Sequence, residues 1–205
     1  FLHGNTASSR MFSSTANQFA DRYQIIMIDF LGHGKSDRVD KLAVDLWYDQ
    51  ALQVIDFLDQ KSYSNVNLVG SSGGALVAIN VALERPDLVK SIIADSFEGE
   101  TPIMDYLVNL PAERAKAKLS SDGISFFKFM HGADWEHIVD NDTNAILEHA
   151  QKIGRFFHKP LEMLQTNILL TGTREDEFIK NIQLVYNEVI NKIGHGNVYI
   201  FEKGG

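Results

Sequence analysis

Apolar positions follow two alternating patterns along the chain. Short continuous apolar runs lie at residues 24–28, 66–69, 91–94, 168–170 and 198–201. Runs of this kind suit strands that are covered on both faces. Between them, apolar residues recur at helical spacing. Trp47, Ala51, Val54 and Leu58 form one such stripe, and Phe178, Ile182, Val185, Val189 and Ile193 form another, with Gly194 placed as a C-terminal cap. Residues 75–84 read as a small-residue helix stopped near Pro86. The stripes are read as core packing. Alternating strands and helices predict an α/β domain with a mostly parallel sheet and helices on both faces.

One stretch breaks this rhythm. From Glu98 to about Leu164 there is no convincing strand. Short helices are predicted at 102–110, 112–119, 124–130 and 143–157. The expected organisation is therefore a core whose first part spans 1–97, a helical cap over 98–164, and a second core part over 165–205. No repeat, low-complexity tract or flexible linker interrupts it.

Composition narrows the chemistry. The 205 residues suit one domain, and 44% of them are hydrophobic. Cysteine is absent, which excludes disulfides, thiolate metal sites and a cysteine nucleophile. The formal net charge is -8, and the basic residues are scattered, which speaks against a nucleic-acid partner. No apolar stretch approaches the ~18 residues that would span a bilayer, so membrane insertion is not expected. No signal peptide is visible, and a cytoplasmic location is expected.

The strongest chemical signal is Asn67-Leu68-Val69-Gly70-Ser71-Ser72-Gly73-Gly74-Ala75. A G-x-S-x-G pattern that ends a strand and opens a helix has the context of a nucleophile elbow. Gly70 and Gly74 let strand and helix approach without Cβ clashes. The N–H of Gly73, at a helix N-terminus, is placed to meet a developing oxyanion. A Walker-type phosphate loop would carry a Lys after the glycines, and none is there. Two further segments accompany the elbow: Phe1-Leu2-His3-Gly4-Asn5-Thr6 and Asp29-Phe30-Leu31-Gly32-His33-Gly34-Lys35-Ser36-Asp37.

Taken in order, these three segments resemble the oxyanion loop, the D-x-x-G-x-G-x-S loop and the nucleophile elbow of the α/β-hydrolase superfamily. The resemblance covers nearly the whole chain, least clearly the helical stretch. It implies that Ser72 is the nucleophile and that the backbone N–H groups of Asn5 and Gly73 form the oxyanion hole. His3, Asp29, His33 and Ser36 are then structural. It also implies that strands precede Phe1. The triad acid should follow the strand at 166–170. Asp176 is preferred and Glu175 is the alternative, while Asp95, used at that place in some relatives, is a rival.

The base is less legible. Seven histidines are present: His3, His33, His131, His137, His149, His158 and His195. Sites in such sheets lie outside the carboxyl ends of the strands. His195 precedes the last strand, at the opposite edge, and is a poor candidate. The chain ends Lys203-Gly204-Gly205, and relatives commonly continue such a Gly-Gly with the catalytic His. By itself the 205-residue chain is therefore expected to have little activity. The implied reaction is acyl transfer through Ser72, with no metal or organic cofactor and a small-molecule substrate. A serine elbow fits carboxylesterases, lipases, thioesterases, C–C bond hydrolases and some peptidases; a carboxylesterase acting on an ester-like bond of a small, partly apolar substrate is the default, a C–C bond hydrolase is the enzyme runner-up, and a non-catalytic small-molecule-binding protein of the same fold is the alternative of a different class. Phe126, Phe127, Phe129, Met130 and Trp135 form a dense apolar cluster in the helical stretch. Phe126, Phe129, Met130 and Trp135 are expected to line an acyl pocket above Ser72.

Overall fold

The computed structural model describes residues 1–204; Gly205, the last residue of the expected second core part, lies outside the described residues. Four parallel strands form a sheet in the order β1 (Val66–Ser71), β2 (Val89–Asp95), β3 (Asn167–Thr173) and β4 (Asn197–Phe201). Leu2 extends it beyond β1 by parallel bridges to Gly70 and to Ile28. The expected strand at 24–28 is therefore reduced to a bridge at Ile28. Leu2 is the single residue that pairs with it, and one pair cannot propagate a ladder.

Helices α1 (Ser13–Asn17), α2 (Leu46–Gln60), α3 (Gly73–Glu84) and α7 (Ile182–Ile193) connect the strands. Every residue from Gly73 to Leu83 is buried. This explains why α3 is apolar all round instead of carrying a stripe. It packs against β1 and β2 on one side and α2 on the other. Phe178 was expected to open the last helix but lies in the turn before it. Asn181, in the left-handed region with φ 59°, separates the two.

Between β2 and β3 lie α4 (Met104–Ala117), α5 (Ser121–His131) and α6 (Trp135–Lys152), with no strand among the described residues. The two helices expected on either side of Pro111 are one helix with Pro111 inside it. The last helix begins at Trp135 instead of near Thr143, because Trp135, Ile138, Val139 and Ile146 continue one buried face. Leu107, Leu110, Ala145, Ile146, Phe156 and Phe157 from this stretch join the main core. Phe127, Trp135 and Val139 make a small cluster of their own.

Candidate active site

Parallel pairing brings the carboxyl ends of the strands to one edge. Ser71 pairs with Asp95, and Asp95 with Thr171, so the residues just after them share that edge. Ser72 sits between β1 and α3 at φ 54°, ψ −122°, in the left-handed half of backbone space. A non-glycine residue there is uncommon, and such strain gathers at functional sites. Its N–H donates to Asp95 O (2.7 Å). Its side chain is exposed, and its hydroxyl has no hydrogen-bond partner among the described residues.

The glycines around it leave no room for side chains. A Cβ on Gly70 would collide with the Gly74 carbonyl, and one on Gly74 with the Leu2 carbonyl. A Cβ on Gly4 would come within 3.0 Å of the Ser72 Cβ, so the loop after Leu2 lies directly against the elbow. One on Gly73 would meet the Asn5 side chain and, at 2.6 Å, Trp47 Nε1. The structure thus brings Ser72, Gly73 and Asn5 together. Among the described residues, the N–H groups of Asn5 and Gly73 are not engaged in any hydrogen bond. The Gly4 carbonyl accepts from His3 Nδ1 (2.8 Å) and from Ala7 N (3.3 Å). In a trans peptide this turns the Asn5 N–H to the other side.

Several carboxylates stand at the same edge. Asp95 is tied into the sheet: it accepts from Thr171 Oγ1 (2.7 Å) and Ser71 Oγ (3.3 Å). Burial nevertheless pushes its pKa up. Asp176 accepts from the N–H groups of Phe178 (2.9 Å) and Ile179 (2.8 Å) through Oδ1, and from the Ser96 hydroxyl through Oδ2. Those two amides lie in a turn ahead of α7, so Asp176 orders that turn and is not the cap of the helix. Glu175 is exposed, and its Oε2 accepts from Gly204 N (3.4 Å). Glu98, on the segment leaving β2, is pushed up to about 7 by burial, with the negative charge of Asp176 adding to the effect.

A cavity of about 640 Å³ opens beside these carboxylates, lined by Ser71, Asp95, Ser96, Asp176 and Phe178 among others, and Ser72 is not among its lining residues. It is more acidic than the apolar acyl pocket expected from the sequence, and Phe126, Phe129, Met130 and Trp135 do not line it. Helix α5 is drawn instead to the N-terminal loop. Met130 Sδ accepts from Ser8 Oγ (3.3 Å), and the Phe129 ring lies under the Arg10 guanidinium (5.4 Å). Trp135 stacks on Phe127 at 5.5 Å, inside the helical stretch's own cluster, and Phe126 is partly exposed beside Phe127.

The buried histidines serve the loops. His3 Nε2 accepts from Phe30 N (3.2 Å), and burial, helped by His33, pushes its pKa down to about 3. His131 Nδ1 accepts from Gly34 N (3.1 Å), and its Nε2 donates to Thr6 O (3.0 Å). Asp29 holds the next loop, accepting from Ser9 N (2.7 Å) and Lys35 N (2.8 Å), while Ser36 Oγ donates to Asp29 O (2.6 Å). His195 Nε2 meets Thr166 O (3.0 Å), ahead of β3 and so at the edge opposite Ser72.

Sequence reasoning missed Asp142. It is fully buried on α6, and its Oδ2 meets Asn5 Nδ2 (3.1 Å), Thr6 N (3.2 Å) and His33 Nε2 (3.0 Å). Burial opposes its charge, but His33, Arg114 and Asn5 together hold its pKa below the usual carboxylate value. A signal was present: Asp142 falls on the same helical face as Trp135, Ile138, Val139 and Ile146, where a charge is out of place.

The profile of the alpha/beta hydrolase fold family matches residues 1–116. With this sheet and elbow, that match places the chain in the α/β-hydrolase fold family. Among curated relatives, a 2-(acetamidomethylene)succinate hydrolase of Mesorhizobium japonicum is 32% identical over 109 residues, which is 52% of this chain and 38% of that protein. A serine hydrolase-like protein of Dictyostelium discoideum is 33% identical over 99 residues, 48% of this chain and 28% of its own. Epoxide hydrolase 4 of Mus musculus is 24% identical over 120 residues, 55% and 31%. These matches thus span little more than a third of such relatives at most. Among solved structures, NosK from Streptomyces actuosus superposes on all of this chain and 86% of its own, with TM-score 0.75 and 19% identity. The E-2-(acetamidomethylene)succinate hydrolase covers 97% of this chain and 80% of its own, with TM-score 0.71 and 17% identity. At these identities the likeness is one of fold. No helix among the chain's described residues is long and apolar enough to cross a membrane.

Proposed function

We propose that this chain carries the nucleophile, the oxyanion donors and the acid of a serine hydrolase that cleaves an ester-like bond of a small substrate through an acyl-enzyme. The observation that carries the reading is Ser72: an exposed, unpartnered hydroxyl on a strained turn, next to two unengaged backbone N–H groups. Ser72 Oγ attacks the carbonyl, a base takes its proton, and the N–H groups of Asn5 and Gly73 hold the oxyanion. One such donor contributes roughly 3–4 kcal/mol in comparable sites. Asp176 is the acid that orients the base, since its carboxylate is fixed by two amides and the Ser96 hydroxyl, whereas Glu175 is exposed. Collapse of the tetrahedral intermediate breaks the ester C–O bond, and the alcohol leaves with the proton that the base returns; water, deprotonated by the same base, then attacks the acyl carbonyl, and the acid departs as Ser72 regains its proton. None of the three segments calls for a metal or organic cofactor. Likeness to the serine hydrolase-like protein and to the 2-(acetamidomethylene)succinate hydrolase supports hydrolysis of an acyl-type bond. Cleavage of a C–C bond by the same serine is the competing enzyme reading, and a carbon-acid substrate panel beside the ester panel separates the two.

The test is covalent labelling of the full-length protein with a fluorophosphonate. Wild type is expected to label, and Ser72→Ala to lose labelling and turnover of p-nitrophenyl acetate together. Undiminished labelling of Ser72→Ala would place the nucleophile elsewhere.

A further inference from the structure

Thr6 is held in an unusual way. It is β-branched yet sits at φ 53°, where such a residue is a conformational outlier. Its N–H donates to Asp142 Oδ2 (3.2 Å), and its C=O accepts from His131 Nε2 (3.0 Å). Both side chains come from the helical stretch, Asp142 from α6 and His131 from α5. The same Asp142 oxygen accepts from Asn5 Nδ2 (3.1 Å), while Asn5 Oδ1 accepts from Trp47 Nε1 (3.1 Å). His33, from the loop after Ile28, closes on that oxygen at 3.0 Å, with both side chains buried. Strained backbone persists only where its surroundings over-determine it, and here the surroundings are two helices inserted far along the chain.

The Asn5 N–H is thereby fixed from both flanks. Upstream, His3 holds the Gly4 carbonyl of the same peptide unit (2.8 Å). Downstream, Asp142 holds the Asn5 side chain and the next N–H. A rotation of that peptide by a few tens of degrees would break one of these bonds. From this geometry we infer that Asp142 is a positioning residue: its carboxylate ties α6 to the Asn5–Thr6 turn and so aims the Asn5 N–H at the oxyanion. The inference rests on the serine-hydrolase reading. It makes the helical stretch part of the oxyanion scaffold, so α6 cannot lift away without releasing Asn5.

The test uses the full-length protein with Asp142→Asn, Asn5→Ala and Ser72→Ala. Asp142→Asn keeps the shape but loses the charge that strengthens three bonds at once. Asn5→Ala keeps the backbone N–H and cuts the tether from the other side. Each is expected to lower kcat for p-nitrophenyl acetate about tenfold and to slow fluorophosphonate labelling alike, with KM within about twofold, since an oxyanion donor acts in the transition state. A merely structural role would lower the amount of folded enzyme without changing the kcat of what remains, so active sites are counted by burst titration. If Asp142→Asn fails to fold, Asn5→Ala decides alone. Wild-type kcat per active site in the folded variants, or a loss confined to KM, overturns the positioning role while leaving the nucleophile reading intact. Persistent labelling of Ser72→Ala overturns that reading instead.

Discussion

At the scale of the residue, the role proposed for Ser72 is set against the cost of its backbone conformation. Its φ 54°, ψ −122° is the first central position of a type II′ turn, which glycine fills without strain. Serine keeps a Cβ there, and the neighbouring loop has room beside it only because residue 4 is glycine. Strain of this kind costs about 1–3 kcal/mol, and glycine's greater freedom in the unfolded chain offsets about 0.5–1 kcal/mol of the relief. Ser72→Gly is therefore expected to be more stable than Ser72→Ala by about 1 kcal/mol, both being inactive. Urea unfolding of the two variants checks this, and equal midpoints would mean that the elbow stores no strain. The motif showed that a serine stood in such a turn. The partners of Asn5 and Thr6 were not legible, because Asp142 and His131 lie more than 120 residues away and only chain folding makes them neighbours.

At the scale of the element, α4 runs through Pro111 where the sequence suggested a break. Proline in a helix interior removes one hydrogen bond and crowds the preceding turn. Leu107 and Leu110 on the same helix are buried in the main core, and that packing overrides the local preference. Pro111 itself is exposed. Pro111→Ala is expected to stabilise the protein by about 1 kcal/mol or more, visible as a higher Tm. An unchanged or lower Tm would show that α6 packs against a bend that proline supplies. The start of α6 was missed for a related reason. Residues 135–142 mix charges with apolar positions, and their periodicity becomes decisive only when Trp135 finds Phe127 to stack on.

At the scale of the whole molecule, buried titratable groups set the response to pH. His3 is neutral in the fold, with its pKa pushed down to about 3 from 6.5 by burial and by His33, so the unfolded chain binds the extra proton. Its contribution is fully present above pH 6.5 and is lost as pH falls towards 3, in total a few kcal/mol. Glu98 works the other way. Its pKa is pushed up from 4.5 to about 7, so it favours the fold below pH 4.5 and that share is lost as pH rises through 7. Between pH 6.5 and 4.5 the two oppose. Below 4.5 Glu98 no longer offsets the loss from His3, and Asp29 and Asp142, whose carboxyls are held below their usual value, add to it. Burial also lowers the pKa of His131, of His149 and of the Phe1 amine, so stability is expected to decline as pH falls below about 6.5 and to fall more steeply below 4.5. His3→Asn should be less stable at pH 7 but should lose less between pH 4.5 and 3. Urea titrations across that range check both statements, and parallel slopes would remove His3 as a cause.

The sequence by itself determined the parts of this protein that local physics writes in short stretches. Continuous apolar runs marked β1 to β4, although burial alternates along each strand and β4, at the edge of the sheet, leaves Tyr199 and Phe201 exposed. The glycines at 70, 73 and 74 marked the elbow, because no side chain fits where strand, helix and loop cross. Only the tertiary structure decided which polar side chains serve the site. Asp142 looks like a flaw in an apolar stripe until α6 crosses the loop at Asn5 and Thr6, and Phe129 and Met130 look like a pocket wall until α5 is drawn to Ser8 and Arg10. Such contacts join residues more than a hundred positions apart. Local periodicity can state that a helix has a buried face, but what that face is buried against is fixed only when the whole chain has closed on itself.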